Sequence, residues 1–299
     1  MKKILFKSLL IISLLSFTSC ASLFIDSITS SDATGLAVSE TIKSISKATE
    51  EITIENEYYI GRSTAAAILK KYPLYTGSPK TTLYLNHICS SIVLNSSSPE
   101  IFKGYYVAIL DTNEITAMST PGGHIFVSRG LLNCTTSEDA LAAVIAHEIA
   151  HIELKHSVGV IKSSRWTDVG TKSVAAIGML TSDAYDLGLN VSKEDLQSFY
   201  AATDNLVGTL VTSGYAKSQE YEADKRALEL MNNTGYDANS MIEMLEMIDK
   251  TGSASKGGWN ETHPKPQDRI YEVKKQLKKM ELSASDKSIR QARFEKNKL

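Results

Sequence analysis

The sequence predicts a predominantly helical α+β fold with a small β-sheet beside one long helix. Stretches with helical spacing of apolar residues recur along most of the chain. Two shorter runs, YYVAILDT at 105–112 and GGHIFVS at 122–128, are rich in the Val, Ile, Phe and Tyr residues that favour strands. No internal repeat divides the 299 residues, so we expect one mixed domain over 55–282.

The helical signals occur in five stretches separated by loops. They cover 55–75, 81–95, 135–156, 210–233 and a C-terminal helix that begins near 266 and runs to 282. The third helix is expected to begin with Thr135 or Thr136 in a capping box. The charged segment 283–299 is expected to be a solvated or frayed end. Residues 157–194 fit either a helical hairpin over a cleft or a membrane-facing flap.

The composition is that of an ordinary globular protein. Hydrophobic residues make up 42% and charged residues 22% of the chain, and the formal net charge is −2. These values exclude a disordered chain and give no broad basic surface. We therefore expect no nucleic-acid partner.

The first residues, MKKILFKSLLIISLLSFTSC, have a Lys-rich start and an apolar stretch that ends in small polar residues. This layout predicts an export signal over 1–19, and the tail FTSC resembles a bacterial lipobox with Cys20 as the lipidated residue. The alternative is a plain secretory signal with a chance cysteine. Residues 20–54 are then a tether and an N-terminal helix. We expect a lipid-anchored protein of the bacterial cell envelope that faces the periplasm, at the outer rather than the inner membrane if two are present.

Two further cysteines, Cys89 and Cys134, lie in partly apolar surroundings. An export compartment permits a disulfide between them. Two buried free thiols are an equally good interpretation, and the sequence does not decide between the two.

The stretch AVIAHEIAHIELKH at 143–156 places three histidines and two glutamates in an otherwise apolar run. His147 and His151 are four residues apart, so a helix brings both imidazoles to one face and to a common point. Glu148 lies about 100° round the helix, beside that point. The pattern is HExxH, which supplies two zinc ligands and a carboxylate that holds a water molecule.

The structural alternative is a core helix whose two histidines are satisfied by hydrogen bonds. It leaves Glu148 unexplained, because burying an unpaired carboxylate costs at least about 2 kcal/mol. A metal ion removes this difficulty. The sequence therefore favours a catalytic site with one zinc ion per chain.

His156 is not expected to be a zinc ligand. It follows His151 by five residues, which in a continuous helix places it about 140° away from the histidine face. We expect it near the helix C-terminus, interacting with the helix dipole or with a neighbour.

A third protein ligand is sought downstream, because catalytic zinc has three protein ligands and a position open to water. The helix at 210–233 carries Glu220 and Asp224 four residues apart on one face. One carboxylate can bind the metal while the other accepts the outer N–H of a ligand histidine. The alternative is a solvated acidic face, since Glu222 and Glu229 lie in the same helix.

The motifs HEIAH, EYEAD and HPKPQDRI, in this order, resemble a gluzincin metallopeptidase family. That family contains the CAAX prenyl protease, the HtpX-like membrane proteases and the periplasmic β-barrel-assembly-enhancing protease. The segment TPGGHIFVSRGLL is similar to its edge-strand segment, and the resemblance covers roughly 55–280. It implies a zincin-like fold in which His147, His151 and Glu220 hold zinc and Glu148 is the general base. The lack of further apolar segments favours its soluble lipoprotein branch.

The resemblance also implies roles for three neighbouring residues. Asp224 accepts a hydrogen bond from a ligand histidine, His263 helps to stabilise the oxyanion, and Arg269 braces the segment that carries His263. The Gly/Ser-rich loop at 251–262 leads directly to His263, so we expect a mobile cover over the site.

A peptide substrate is expected to lie extended along the second β-like run by strand addition, which reads main chain more than side chains. The expected contact residues are Gly122, Gly123, His124, Ile125 and Phe126. His124 is taken as a solvent-facing strand residue and not as a metal ligand.

The predicted function is that of a zinc-dependent endopeptidase that hydrolyses misfolded or misassembled envelope proteins. Its expected partners are these substrates and, through Cys20, a membrane; no oligomeric state is predicted. The alternative is a periplasmic chaperone or assembly factor in which zinc is mainly a structural staple. Glu148 distinguishes the two, since a staple has no need for a carboxylate that does not bind the metal.

Overall fold

The structure is a computed structural model that describes residues 52–163, 203–252, 262–283 and 286–299. The chain divides into the units Met1–Glu51 and Ile52–Leu299, and every described residue belongs to the second. The predicted signal, Cys20, most of the tether, residues 164–194 and most of the proposed cover loop lie outside the described residues. None of the helices within the described ranges is long and apolar enough to cross a membrane.

The described residues confirm a predominantly helical α+β fold. The α-helices are α1 (Ile54–Lys71), α2 (Pro79–Val93), α3 (Arg129–Cys134), α4 (Glu138–Glu153), α5 (His156–Ser163), α6 (Lys217–Thr234), α7 (Ser240–Gly252), α8 (Pro266–Leu277) and α9 (Ser288–Asn297). The strands are β1 (Tyr106–Leu110), β2 (Ala117–Ser119) and β3 (His124–Ser128). The two β-like runs form β1 and β3, whereas β2 is a short strand that the sequence did not indicate.

The three strands form one sheet in the order β1-β3-β2, with β1 parallel and β2 antiparallel to β3. The central strand β3 is therefore hydrogen-bonded along both edges. Strand addition to β3 is excluded, because a peptide needs a free edge. The prediction that a peptide pairs with the stretch from Gly122 to Phe126 is thus wrong. Strand β2 lies next to α4, because the Ser119 hydroxyl donates a hydrogen bond to the Glu148 carbonyl.

Helix α4 forms the centre of the core, and all of its residues before Glu153 are buried. Each large apolar side chain buried here contributes about 1.5–3 kcal/mol relative to an exposed one. The helix begins one or two residues later than the predicted start at Thr135 or Thr136: the N-cap is Ser137, whose hydroxyl accepts the Ala140 N–H at 3.1 Å. Cys89 and Cys134 are free thiols, so no disulfide joins them.

The C-terminal segment is not a frayed end. Residues 288–297 form α9, which packs on the start of α4 with Phe294 only 3% exposed. Arg290 donates to Asp139 at 2.9 Å, and Arg293 donates from Nε to Glu138 at 2.7 Å. The prediction of a solvated end is wrong because these two arginines, which lie in a charged stretch of sequence, neutralise two buried carboxylates of α4.

Candidate metal centre

Three side chains from two helices converge on one point. His147 and His151, one turn apart on α4, bring their Nε2 atoms to within 3.1 Å of each other. Glu220, in the first turn of α6, places Oε2 3.5 Å from His147 Nε2 and Oε1 3.5 Å from His151 Nε2. This is the arrangement that the four-residue spacing on a helix predicts, completed by a carboxylate from a second helix.

The chemistry of the group fits a zinc ion. Glu220 is fully buried, and neither of its carboxylate oxygens has a hydrogen-bond partner among the described residues. The Arg269 Nη1 atom, 3.9 Å from Glu220 Oε2, is too far away for a hydrogen bond, so both carboxylate oxygens are available to a metal ion. One ligand atom each from His147, His151, Glu220 and His263 lie within 4.8 Å of one another. Two imidazoles and a carboxylate are a known ligand set of catalytic zinc.

His147 is oriented by a buried ion pair. Asp224 Oδ1 lies 3.1 Å from His147 Nδ1, so the outer N–H of the ring can donate to it. Arg269 holds the same carboxylate with two hydrogen bonds, of 2.6 and 2.9 Å. Burial alone would raise the pKa of Asp224, but the Arg269 guanidinium holds it well below its usual range. Asp224 therefore stays ionised and keeps the ring of His147 in position. Arg269 lies on α8, the helix that follows His263.

Glu148 lies beside the proposed zinc ligands and is not one of them. Its side chain is buried, and its Oε1 atom has no hydrogen-bond partner within the described residues. Burial raises the pKa of Glu148 to about 7 in the metal-free protein. A carboxylate with such a pKa can both accept and release a proton near neutrality, as a general acid–base requires.

A small cavity of about 10 Å³ lies at this point, between β2 on one side and the segments around Tyr215 and His263 on the other. Glu148 and His151 form part of its wall. This volume accommodates about one water molecule. Within the described residues, the cavity beside Glu148 therefore has room for a water molecule and not for a peptide.

His151 is held by contacts that the sequence reading did not find. The helix ends at Glu153, and Lys155 has a left-handed φ of 55°. This turn redirects the chain, so His156 begins α5 and places its Nδ1 atom 2.9 Å from His151 Nδ1. His156 does contact a neighbour, as expected, but it is not part of the same helix. A left-handed residue other than Gly or Asn leaves little signal in a sequence.

The segment before α6 differs from the predicted continuous helix over 210–233. Thr209–Ser213 form a π-helical turn, and Gly214 follows with φ 72°. A Cβ atom at Gly214 would lie 1.6 Å from the carbonyl oxygen of Thr262, so only glycine allows the two segments to come this close. The break places Tyr215 against His151 and brings this loop against the residue that precedes His263.

The other predicted residues lie away from the ligand group. Gly122 has φ 73°, and a Cβ there would be 2.4 Å from the Cα of Tyr58, so its role is a tight turn against α1. His124 is half-buried rather than solvent-facing, with its ring stacked on Tyr58 at 5.4 Å. Burial lowers the pKa of His124. Its Nδ1 atom lies 3.3 Å from the Thr120 hydroxyl.

A family model described as Peptidase family M48 matches residues 79–277. This range contains all the proposed zinc ligands, together with Glu148, Asp224 and Arg269. It covers most of the part of the chain that the structure describes.

Individual relatives have metallopeptidase or protease names. The mitochondrial metalloendopeptidase OMA1 of Schizosaccharomyces pombe is 31% identical over 199 residues, which are 66% of this chain and 53% of the relative. The β-barrel assembly-enhancing protease of Escherichia coli K12 is 24% identical over 231 residues, 75% of this chain and 43% of the relative. A protease HtpX homolog of Fusobacterium nucleatum is 23% identical over 171 residues. The chain spans about half the length of these curated relatives.

Proposed function

The chain belongs to peptidase family M48, and from this premise we propose that it is a zinc-dependent endopeptidase. One observation carries the proposal. His147, His151 and Glu220 direct their ligand atoms to one point, where the buried carboxylate has no hydrogen-bond partner among the described residues. Glu148 lies next to that point and is not one of the proposed ligands. A structural zinc site would have no need for this second glutamate, which does not bind the metal.

The residues of the chain divide the reaction between them. Bound zinc supplies activation of a water molecule and polarisation of a peptide carbonyl. Glu148 accepts the proton of the attacking water and later donates it to the leaving amine. Asp224 and Arg269 keep the ring of His147 fixed throughout. His263, whose Nε2 lies 3.7 Å from Glu220 Oε2, is proposed to donate a hydrogen bond to the oxyanion.

We propose that the substrate peptide pairs with β2 rather than with β3. The central strand is hydrogen-bonded on both sides, whereas β2 has one sheet neighbour among the described residues and contributes Ala117 and Met118 to the wall of the cavity. Main-chain pairing selects an extended backbone and few side chains. The expected cleavage profile of an unfolded substrate is therefore broad in sequence.

Binding of a peptide requires an opening movement, because the cavity accommodates only about one water molecule. The proposed mobile part is the cover loop that ends at Thr262, next to His263. Limited proteolysis of this loop, with and without a peptide-like inhibitor, tests the movement. Inhibitor-dependent nicking is expected, and identical nicking rates would contradict a moving cover.

The cellular role is proposed to be the removal of misfolded or misassembled proteins of the bacterial cell envelope, by a protein anchored through Cys20. The name of the β-barrel assembly-enhancing relatives supports an envelope role. The lipobox-like sequence supports the anchor. Metabolic labelling with a fatty acid tests it directly: Cys20→Ala should abolish incorporation.

The enzymatic proposal is tested by zinc content and casein cleavage of the full-length chain, compared between wild type and Glu148→Gln. Loss of a general base lowers the rate by about 10²–10⁴-fold, whereas the ligand atoms remain in place. We therefore expect about one zinc per chain in both proteins and cleavage only by the wild type. Glu246→Gln, at an exposed carboxylate of α7, is the matched control and should cleave normally.

Two results would contradict the proposal. A wild type that binds zinc and cleaves no unfolded protein, even after the cover loop has been nicked, favours the chaperone or assembly-factor alternative. A wild type that binds no zinc would contradict both the protease proposal and the chaperone alternative.

A further inference from the structure

The imidazole of His151 is held from two sides. At its edge, His156 Nδ1 lies 2.9 Å from His151 Nδ1, and the two rings meet at 73°. On its flat face, the ring of Tyr215 stacks with a centroid distance of 4.4 Å. The hydroxyl of Tyr215 is hydrogen-bonded to that of Ser157. Two consecutive residues at the start of α5, both 4% exposed, thus act on one proposed zinc ligand.

The direction of the hydrogen bond between the two histidines follows from the position of the zinc site. The Nε2 atom of His151 faces His147 Nε2 and Glu220, so it is the nitrogen that would bind zinc. A nitrogen that binds a metal carries no proton, and the neutral ring then has its proton on Nδ1. This N–H points at His156 Nδ1, which must accept it. The proton of His156 consequently lies on Nε2, which faces Glu222 Oε2 at 3.5 Å.

We propose that His156 is a positioning residue: it accepts the hydrogen bond of His151 and fixes the tautomer and ring orientation in which His151 Nε2 binds zinc. The inference rests on the zinc site proposed above. The two ligand histidines are then oriented by different chemistry, His147 by the carboxylate of Asp224 and His151 by a neutral imidazole. Loss of such an outer partner typically costs 10–100-fold in metal affinity.

Glu222 makes a minor contribution to this arrangement. Its side chain is 64% exposed, and its nearest oxygen lies 3.5 Å from His156 Nε2. Contacts of exposed carboxylates are screened by water and contribute little. The effect of His156 should therefore depend on its acceptor nitrogen much more than on Glu222.

The test is the rate at which the zinc-loaded full-length chain releases its metal to an excess of chelator. We expect His156→Leu to release zinc at least about ten times faster than the wild type, because the acceptor is lost. His156→Gln offers an amide oxygen as acceptor and should remain within about threefold of the wild type. His87→Leu changes an exposed histidine of α2 and should have no effect. Thermal unfolding of each zinc-loaded variant shows that it is folded.

The outcomes separate this inference from the proposed function. Wild-type release rates in His156→Leu, or equally fast release in the Leu and Gln variants, would overturn the positioning role and leave the zinc site intact. A wild type that binds no zinc would overturn both. If His156→Leu does not fold, nitrogen NMR of the histidine-labelled, zinc-loaded wild type decides. A proton on His156 Nε2 supports the inference, and one on Nδ1 refutes it, since two N–H groups would then face each other.

Discussion

The two halves of helix α4 bury carboxylates in opposite ways. At the N-terminal end, Glu138 is fully buried and accepts hydrogen bonds from Tyr84 at 2.9 Å and from Arg293 Nε at 2.7 Å. Near the C-terminal end, Glu148 and the neighbouring Glu220 keep buried oxygens that have no hydrogen-bond partner in the described parts of the chain. One helix therefore carries an acidic group that arginine neutralises and, ten residues later, an acidic group with one buried oxygen that has no hydrogen-bond partner among the described residues.

This difference distinguishes a structural carboxylate from a functional one. A buried acid that is paired with arginine and tyrosine stabilises the fold, and it sits in the first helical turn where the dipole also favours negative charge. A buried acid without partners destabilises the fold unless a cation or a reaction requires it. The same substitution at the two positions should therefore change the free energy of unfolding in opposite directions.

The largest effect is expected at the paired end. Glu138→Gln removes the charge that Arg293 neutralises, and we expect the free energy of unfolding to fall by about 2–3 kcal/mol. Zinc content per folded molecule should not change, because the substitution lies at the other end of α4. Urea unfolding of the full-length chain measures the first quantity and metal analysis the second.

Glu295→Gln is the matched control for this prediction. Glu295 lies on α9 in an exposed ion pair with Lys298. Such exposed pairs are screened by water and contribute little to stability. Equal stability of the Glu138 and Glu295 variants would show that the network at the start of α4 does not stabilise the protein.

The second prediction concerns Glu148 in protein from which metal has been removed. Burial raises the pKa of Glu148 from 4.5 to about 7, so its charged form is disfavoured in the folded state. Ionisation of Glu148 therefore lowers the stability of the wild type as the pH rises from about 4.5 to 7, and Glu148→Gln lacks this contribution. At pH 8 we expect the variant to be more stable by about 1–3 kcal/mol.

Urea unfolding at pH 4 and pH 8, in the presence of chelator, checks this sign. The two proteins should have similar stability at pH 4, where the Glu148 carboxyl is protonated in both the folded and the unfolded wild type. A Glu148→Gln variant that is less stable than the wild type at pH 8 would contradict the expectation that buried Glu148 destabilises the metal-free fold.

The contrast also shows which features of the site are readable in the sequence. The pairing of His147 with His151 depends only on the period of a helix, and the stretch around them has an unambiguous helical pattern. The four-residue spacing of Glu220 and Asp224 made them candidates, but only the family resemblance favoured them over a solvated acidic face and added His263. Except for His263, which precedes α8, these residues lie in regular helices.

The features that were missed depend on contacts between distant segments or on single backbone angles. The order of the strands is set by pairing between separate segments, and β2 is only three residues long. The position of His156 is set by the left-handed turn at Lys155. Helix α9 was read as solvated because the buried partners of its arginines lie about 150 residues earlier.

The smallest prediction refines the contrast, because a paired carboxylate also lies at the C-terminal end of α4. Arg226 donates to Glu153 with two hydrogen bonds, of 2.6 and 3.1 Å. Burial alone would raise the pKa of Glu153, but these bonds and those from Ser97 outweigh it and lower the pKa from 4.5 to about 2. The resulting stabilisation is present above about pH 4.5 and is lost as the pH falls towards 2.

We therefore expect Arg226→Met to lower the free energy of unfolding by about 1 kcal/mol at pH 7, a value that allows for screening of a partly exposed pair. Stability curves of the two proteins should converge between pH 4.5 and 2, because protonated Glu153 no longer gains from the arginine. Lys275→Met, at an exposed ion pair with Glu272, is the control and should show no such convergence. A pH-independent difference for Arg226→Met would mean that Arg226 stabilises through packing of its stem rather than through the charge of Glu153.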